Sequence, residues 1–459
     1  MTSDRVPDAL GRALARRGYQ TLTPVQHAVL EAGRDRDMLV SAPTGSGKTI
    51  AIGLALAGSL LDAAGRPVVA GVPRALVVTP TRELARQVSD ELAWLYADVP
   101  LRVVCCAGGD CPRAERARLA AGCEVVVGSP GRLRDQAERR ALDLDGVAVV
   151  LDEADDMLQL GFRADLDFLL GAAGPRRRTL MFSATVSRRI EALAAQYQRD
   201  AVRIDAAGSA TDHIRFEAMA VDPADRAAAV ANLLLLHQPA AAIVFCARRE
   251  SVGELAGWLA QRGFRVAALS GDLPQRERTA AVAALREGRA RVCVATDLAA
   301  RGLDLPGLDL VIHADLPENA AALTHRSGRT GRAGRRGHAV LLAPHALRRR
   351  ARLLAAGAGV ALDWVAPPCR AAILARNEAR LLADAALGAA AAPDERAAAA
   401  RLLAAHDAER VAVAFLRERA LARPAPEAFG GPKDPVRDGC GARPAGAGRS
   451  APPRPGRHG

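Results

Sequence analysis

Met38-Leu-Val-Ser-Ala-Pro-Thr-Gly-Ser-Gly-Lys-Thr49 passes from a short apolar run, through a turn of small residues, into the apolar stretch Ile50–Leu61. A strand, a glycine-rich loop and a helix start in that order form a phosphate cradle. Gly45 and Gly47 let backbone N–H groups close around phosphate oxygens, and Ala42, Pro43, Thr44 and Ser46 complete the loop. The helix N-terminus adds the positive end of its dipole. Lys48 is placed to reach the β- and γ-phosphates, and the Thr49 hydroxyl to ligate Mg²⁺. The alternative, a glycine turn without function, leaves the Gly-Lys-Thr at the helix start unexplained. Lys48 is also one of only two lysines among 63 basic residues. A compact ammonium serves as a point charge among phosphates where a guanidinium does so poorly.

Such a loop needs a carboxylate at the end of a neighbouring strand. Val147–Leu151 runs into Asp152-Glu153-Ala154-Asp155, which puts Asp152 in place to hold the metal and Glu153 to orient attacking water. Around these two segments, apolar runs at Ala75–Thr79, Val103–Cys106, Glu124–Val127, Thr179–Phe182 and Ala201–Ile204 alternate with helix-like stretches. Most are apolar throughout rather than alternating, as strands buried on both faces of a parallel sheet are. The pattern pauses at a small-residue stretch near Ala206–Ala210. It restarts at Ile214–Val221, Ala241–Phe245, Arg265–Ser270, Arg291–Thr296, Leu308–His313 and His338–Leu342. The fold class expected is therefore α/β, with two parallel-sheet modules in tandem. Beyond Arg348 the chain reads as a small Ala/Leu/Arg-rich helical appendage. From Arg423 it reads as a disordered Pro/Gly/Arg tail, too poor in bulky apolar residues to offset ordering entropy.

The net charge of +12 favours a polyanionic partner. Aromatics make up 3% of the residues, which points away from base stacking and toward sugar–phosphate contact of little sequence specificity. Cys105, Cys106, Cys111 and Cys123 lack paired zinc spacing and read as reduced, small core residues. With no signal-like apolar segment at the N-terminus and no membrane-length apolar run, the expected location is cytoplasmic.

Asp152-Glu153-Ala154-Asp155 spells the name of the DEAD-box RNA helicases, and the rest of that family's motif series follows in order over roughly residues 15–345. Pro80–Ala85, Gly108-Gly109 and Ser129–Arg132 resemble its first-domain RNA-contacting motifs. Ser183-Ala184-Thr185 resembles the motif coupling ATP state to strand separation. Val244–Cys246, Gln275–Arg278, Ala295–Asp297, Arg301–Asp304 and His325–Arg332 match the second-domain series. Gly18-Tyr19 through Gln26 looks like the adenine-reading motif, though the family's upstream Phe has no counterpart in the first ten residues.

The resemblance implies two RecA-like domains, residues 1–206 and 213–348, joined by a linker at 207–212, then a helical extension at 349–422 and a tail at 423–459. It implies ATP and Mg²⁺ as cofactors. Lys48, Asp152, Glu153, Arg329 and Arg332 would carry catalysis, with Tyr19 stacking on the base, Gln26 reading its edge and Asp304 at the nucleotide. Thr81, Arg82, Gly108, Gly109, Ser129, Arg132, Arg278 and Thr296 would meet RNA; Asp155, Ser183, Thr185 and His325 would couple the two events. Because Arg329 and Arg332 lie in the second module, they can act only when the modules close. The activity implied is RNA-stimulated ATP hydrolysis that unwinds short duplexes or remodels RNA–protein complexes. The rivals are an ATP-switched RNA clamp and a DNA helicase. Ribosome-assembly or RNA-decay factors and a second copy of the chain are the further partners implied. The arginines at 437, 443, 449, 454 and 457 make the tail either a flexible RNA tether or an inert extension.

Overall fold

The computed structural model describes residues 6–43, 45–62, 64–108, 111–175, 177–206, 213–271, 273–300, 307–331, 335–384, 390–421 and 424–429. Thr44, Gly109, Asp304 and Arg332, the linker at 207–212 and the tail from residue 430 lie outside them.

The first sheet comprises β1 (Met38–Ser41), β2 (Ala75–Val78), β3 (Val103–Cys106), β4 (Val125–Gly128), β5 (Ala148–Leu151), β6 (Thr179–Ser183) and β7 (Val202–Asp205), in the order β3-β4-β2-β5-β6-β1-β7. The second comprises β8 (Ile214–Ala220), β9 (Ala242–Phe245), β10 (Val266–Leu269), β11 (Val292–Ala295), β12 (Leu310–His313), β13 (Gly337–Ala343) and β14 (Asp363–Trp364), ordered β10-β11-β9-β12-β13-β8-β14. Every strand pairing within the two sheets is parallel. Each sheet carries an apolar cluster on both faces, which explains why strands such as Val125–Val127 are apolar at every position.

Register decides where the chemistry sits. Ser41 of β1 pairs with Ser183 of β6, and Leu151 of β5 with Met181. The loops that follow these strands therefore leave from one edge, the carboxyl edge, where open α/β sheets bind ligands. Ala42 N–H donates to the Ser183 carbonyl at 3.0 Å, and Asp152 N–H to the Val78 carbonyl at 2.9 Å, so the sheet itself holds the loop starts together.

Three expectations change. The second sheet does not end before residue 348, because the helix Arg348–Gly357 leads to β14 on the edge beside β8. A strand of two residues carries too little periodicity to be read from sequence. Cys111 is exposed at the start of the helix Pro112–Ala120, whereas Cys106 and Cys123 are buried. Residues 424–429, assigned to the disordered tail, are ordered against the second sheet's helices, with Phe429 packed on the apolar cluster there.

Candidate nucleotide site and strand groove

Gly47 caps the helix Lys48–Leu60 in the left-handed region, at φ +89°. A Cβ there would stand 2.4 Å from Gln26 Nε2 and 3.2 Å from Thr23 Oγ1. Lys48 is buried, and its ammonium donates to the Ala42 carbonyl at 2.9 Å across the loop. Ser46 Oγ closes the turn onto the Pro43 carbonyl at 2.8 Å, and half-buried Thr49 follows in the first turn of the helix. Gly47→Ala is expected to weaken nucleotide binding by roughly five- to thirtyfold. The left-handed backbone alone costs about 1–2 kcal/mol with a Cβ, and 1.4 kcal/mol is tenfold. A binding titration with a fluorescent nucleotide checks it.

Gln26 is fully buried and already engaged. Its Oε1 accepts from Thr23 N–H at 3.0 Å, bracing the start of the helix Pro24–Glu31, while Nε2 donates to the Gly47 carbonyl at 3.2 Å. The amide assigned to adenine reading also braces the phosphate loop. Gly18, at φ +79°, turns the chain so that the Tyr19 ring stacks on Trp94 with centroids 6.2 Å apart. That ring lines a pocket between the helices Arg82–Leu95 and Gln275–Arg286, one whose lining includes no residue of the 42–49 loop.

Asp152 is 2% exposed at the end of β5, and its Oδ1 meets no hydrogen-bond partner; Glu153 Oε2 is buried without one too. Burial first, then the Glu153 charge, raises the Asp152 carboxyl to about 7, with Lys48 pulling it back down. Two orphaned carboxylate oxygens beside a buried ammonium suit a hard divalent cation with oxygen ligands, so the residues fit Mg²⁺. Glu153 itself holds φ +52°, a strained conformation for a residue with a Cβ.

Asp155 connects these groups to the rest of the molecule. Thr185 Oγ1 donates to Asp155 Oδ2 at 3.0 Å, and Ser183 Oγ to the Thr185 carbonyl at 2.7 Å. From the second domain, His325 brings Nε2 to 3.6 Å from Asp155 Oδ2 and Nδ1 to 3.6 Å from Asp156 Oδ1. Burial pushes the His325 imidazole down, but Asp156, Asp155 and Glu153 push it up by more, so its net shift is upward. Arg329, 8% exposed, lines the same interdomain pocket as His325, Asp156 and Gln159. Sequence reasoning passed over Arg326, which is 3% exposed and holds Asp297 with both Nε and Nη2, at 2.6 and 2.7 Å. It locks the helix Ala320–Ser327 that carries His325.

A second cavity, of about 700 Å³, runs across both domains. It gathers Thr81, Arg82, Gly108, Ser129 and Arg132 from the first and Arg278 from the second. Thr81 and Ser129 stand at the N-termini of two helices, Arg82–Leu95 and Pro130–Glu138, whose free N–H groups suit phosphate. Arg278 spans the domains: Nε is 2.9 Å from Glu83 Oε1, off the axis of a hydrogen bond, and Nη2 donates to the Ala299 carbonyl at 2.8 Å.

Arg132 lines the groove already paired with carboxylates. Glu115, fully buried, sits 3.1 Å from its Nε, and Asp135 lies 3.4 Å from Nη1, so much of its charge is offset. Glu115 also accepts from Gly108 N–H at 3.2 Å and so fixes the loop above the groove. Thr296 is 8% exposed at the end of β11, where its Oγ1 accepts from Ala299 N–H at 3.4 Å, and it is not part of the groove lining. Phe162, an aromatic that sequence reasoning missed, does line the groove.

Among the described residues, a metal-capable cluster of three side chains is formed by Glu217 and His338 of the second sheet and His237 at the end of the helix Arg226–His237. No helix among these residues is long and apolar enough to cross a membrane.

The DEAD/DEAH box helicase family profile matches residues 23–193, and the helicase conserved C-terminal domain matches residues 225–334. The chain is 39% identical over 338 residues to the mitochondrial DEAD-box ATP-dependent RNA helicase 9 of Arabidopsis thaliana, covering 72% of this chain and 55% of that protein. It is 36% identical over 377 residues to the ATP-dependent RNA helicase DbpA of Escherichia coli K12, covering 81% of each. The structure of S. cerevisiae Dbp5 bound to RNA and ADP BeF3 superposes with a TM-score of 0.71 at 26% identity, over 79% of this chain and 94% of that one. The chain spans about half the length of several of the curated relatives it matches, 52–57% of the plant proteins.

Proposed function

The chain belongs to the DEAD-box helicase family, and from that premise we propose that it is an ATP-dependent RNA helicase that hydrolyses ATP when RNA draws its two domains together. The observation that carries this reading is the groove between the domains. Thr81, Arg82, Gly108 and Ser129 line it from one side and Arg278 from the other, so a strand lying there favours the closed arrangement. Closure also brings His325 against Asp155 and Asp156, and Arg329 into the same pocket.

Lys48 and the loop amides would hold the triphosphate, with Thr49 and Asp152 as protein ligands of Mg²⁺, which neutralises phosphate charge when bound. Glu153 would orient and deprotonate water. Arg329, with Arg332 outside the described residues, would steady charge on the transferring phosphoryl group. Thr185 and Asp155 tie the metal-side strand to the interface that His325 reaches, which supports their coupling role. The leucines exposed on the C-terminal helices, Leu382, Leu402, Leu403 and Leu416, support self-association there. The free thiols of seven cysteines among the described residues support a reducing, cytoplasmic setting.

Phosphate release measured with and without single-stranded RNA tests the reading. The rate is expected to be low alone and to rise at least about tenfold with RNA, the scale of coupling between linked sites. A labelled duplex should be displaced in the same reaction. Equal rates with and without RNA would remove the basis for coupling.

A further inference from the structure

The ordered segment Pro424–Phe429 lies on the second domain, far in sequence from what it touches. Asn232 sits in an otherwise apolar helix, Arg226–His237, and is fully buried. Its side-chain amide reads the backbone of Glu427 in both directions. Nδ2 donates to the Glu427 carbonyl at 3.0 Å, and Oδ1 accepts from Glu427 N–H at 2.9 Å. The remaining donor goes to the Pro368 carbonyl at 3.0 Å, which fixes the amide's orientation.

Beside it, the Arg262 guanidinium lies 3.4 Å over the Trp258 ring and binds the Glu427 carboxylate through Nε. Phe429 packs on the apolar cluster that includes Trp258 and Phe264. Pro424, Pro426, Glu427 and Phe429 are partly buried, whereas Ala425 and Ala428 are exposed.

These contacts are not a by-product of neighbouring structure. Of the two helices before it, Pro393–Ala405 buries no residue, and Ala408–Leu421 is half-buried only at Val411, Val413 and Phe415 among its described side chains. The segment's own six residues supply the contacts named above. Two prolines restrict it to an extended form before it docks, which lowers the entropy lost on binding. Backbone pairing to a fixed amide, one charged anchor and one aromatic anchor are the elements of linear-peptide recognition.

We propose that Asn232, Trp258, Arg262 and the adjoining apolar cluster form a peptide-docking site for the pattern Pro-x-Pro-Glu-x-Phe, occupied in cis by the chain's own residues 424–429. The site is separate from the nucleotide loop and the strand groove, and it goes beyond the helicase reading. It anchors the start of the Arg-rich tail to the second domain rather than leaving that tail to hang from the exposed helices.

The test uses the full chain and a labelled peptide with the sequence of residues 423–430. The double variant Glu427→Arg with Phe429→Asp empties the site, and fluorescence anisotropy should then show saturable peptide binding. The wild-type chain, whose own segment competes, should bind the peptide at least about tenfold more weakly, because the tethered copy acts at a high effective concentration. Adding Asn232→Ala to the double variant should abolish binding, with circular dichroism checking that the chain still folds. Hydrogen exchange on the wild-type chain supplies a second readout, in which the Glu427 amide should be protected and Asn232→Ala should release it. Failure of the double variant to bind the peptide, equal binding by the wild-type chain, or an unprotected Glu427 amide would each overturn the proposal.

Discussion

Glu153→Gln should lower the rate of RNA-stimulated phosphate release by about 10²–10⁴-fold, the range that a positioned general base contributes. Nucleotide affinity should stay within a few-fold of the wild-type value. The structural reason is that Glu153 sits beside the phosphate loop without forming it. Its Oε2 is buried with no partner, and its backbone is held at φ +52° between β5 and the helix Ala154–Gln159. The amide keeps the shape and loses the charge. Lys48, the Ala42 carbonyl and the Gly47 turn, which shape the loop, are left as they are. Stopped-flow phosphate release and a nucleotide titration on the same preparation separate the two effects. Normal hydrolysis by the variant would assign the base elsewhere.

Arg329→Ala is expected to produce a loss of similar size, about 10³-fold in RNA-stimulated turnover, the lower end of what an arginine supplied across an interface contributes. Arg329 belongs to the second domain yet lines a pocket with Asp156 and Gln159 of the first. Removing it should leave nucleotide binding by the first domain nearly unchanged while the RNA-stimulated step fails. RNA affinity should also change little, because the groove that gathers Thr81, Arg82 and Arg278 is a different cavity. Turnover at saturating RNA, compared with RNA affinity at fixed nucleotide, reads this directly. A variant that loses RNA binding and turnover in parallel would mean that Arg329 holds the domains together rather than acting at the phosphates.

The α/β class, the two sheets and the phosphate loop were legible from the residues alone. These depend on local patterns, namely apolar runs such as Val125–Val127 that fill both faces of a sheet and a glycine turn followed by a helix start. How the side chains are engaged came from packing. Nothing local to Gln26 shows that its amide spans Thr23 and Gly47. Nothing local to Arg132 shows that Glu115, on another helix, is paired with it. Phe162 carries no local signal, and Arg326, though inside the motif His325–Arg332, gives no sign of its grip on Asp297, because what each one does depends on residues brought near by the turn of the chain. The segment at 424–429 shows the same limit most plainly. Its composition is that of a disordered tail, and what orders it is a buried asparagine and an arginine–tryptophan pair far away in sequence. A hydrogen-bond partner supplied by folding leaves no periodicity in the chain, so the packed structure alone could show it.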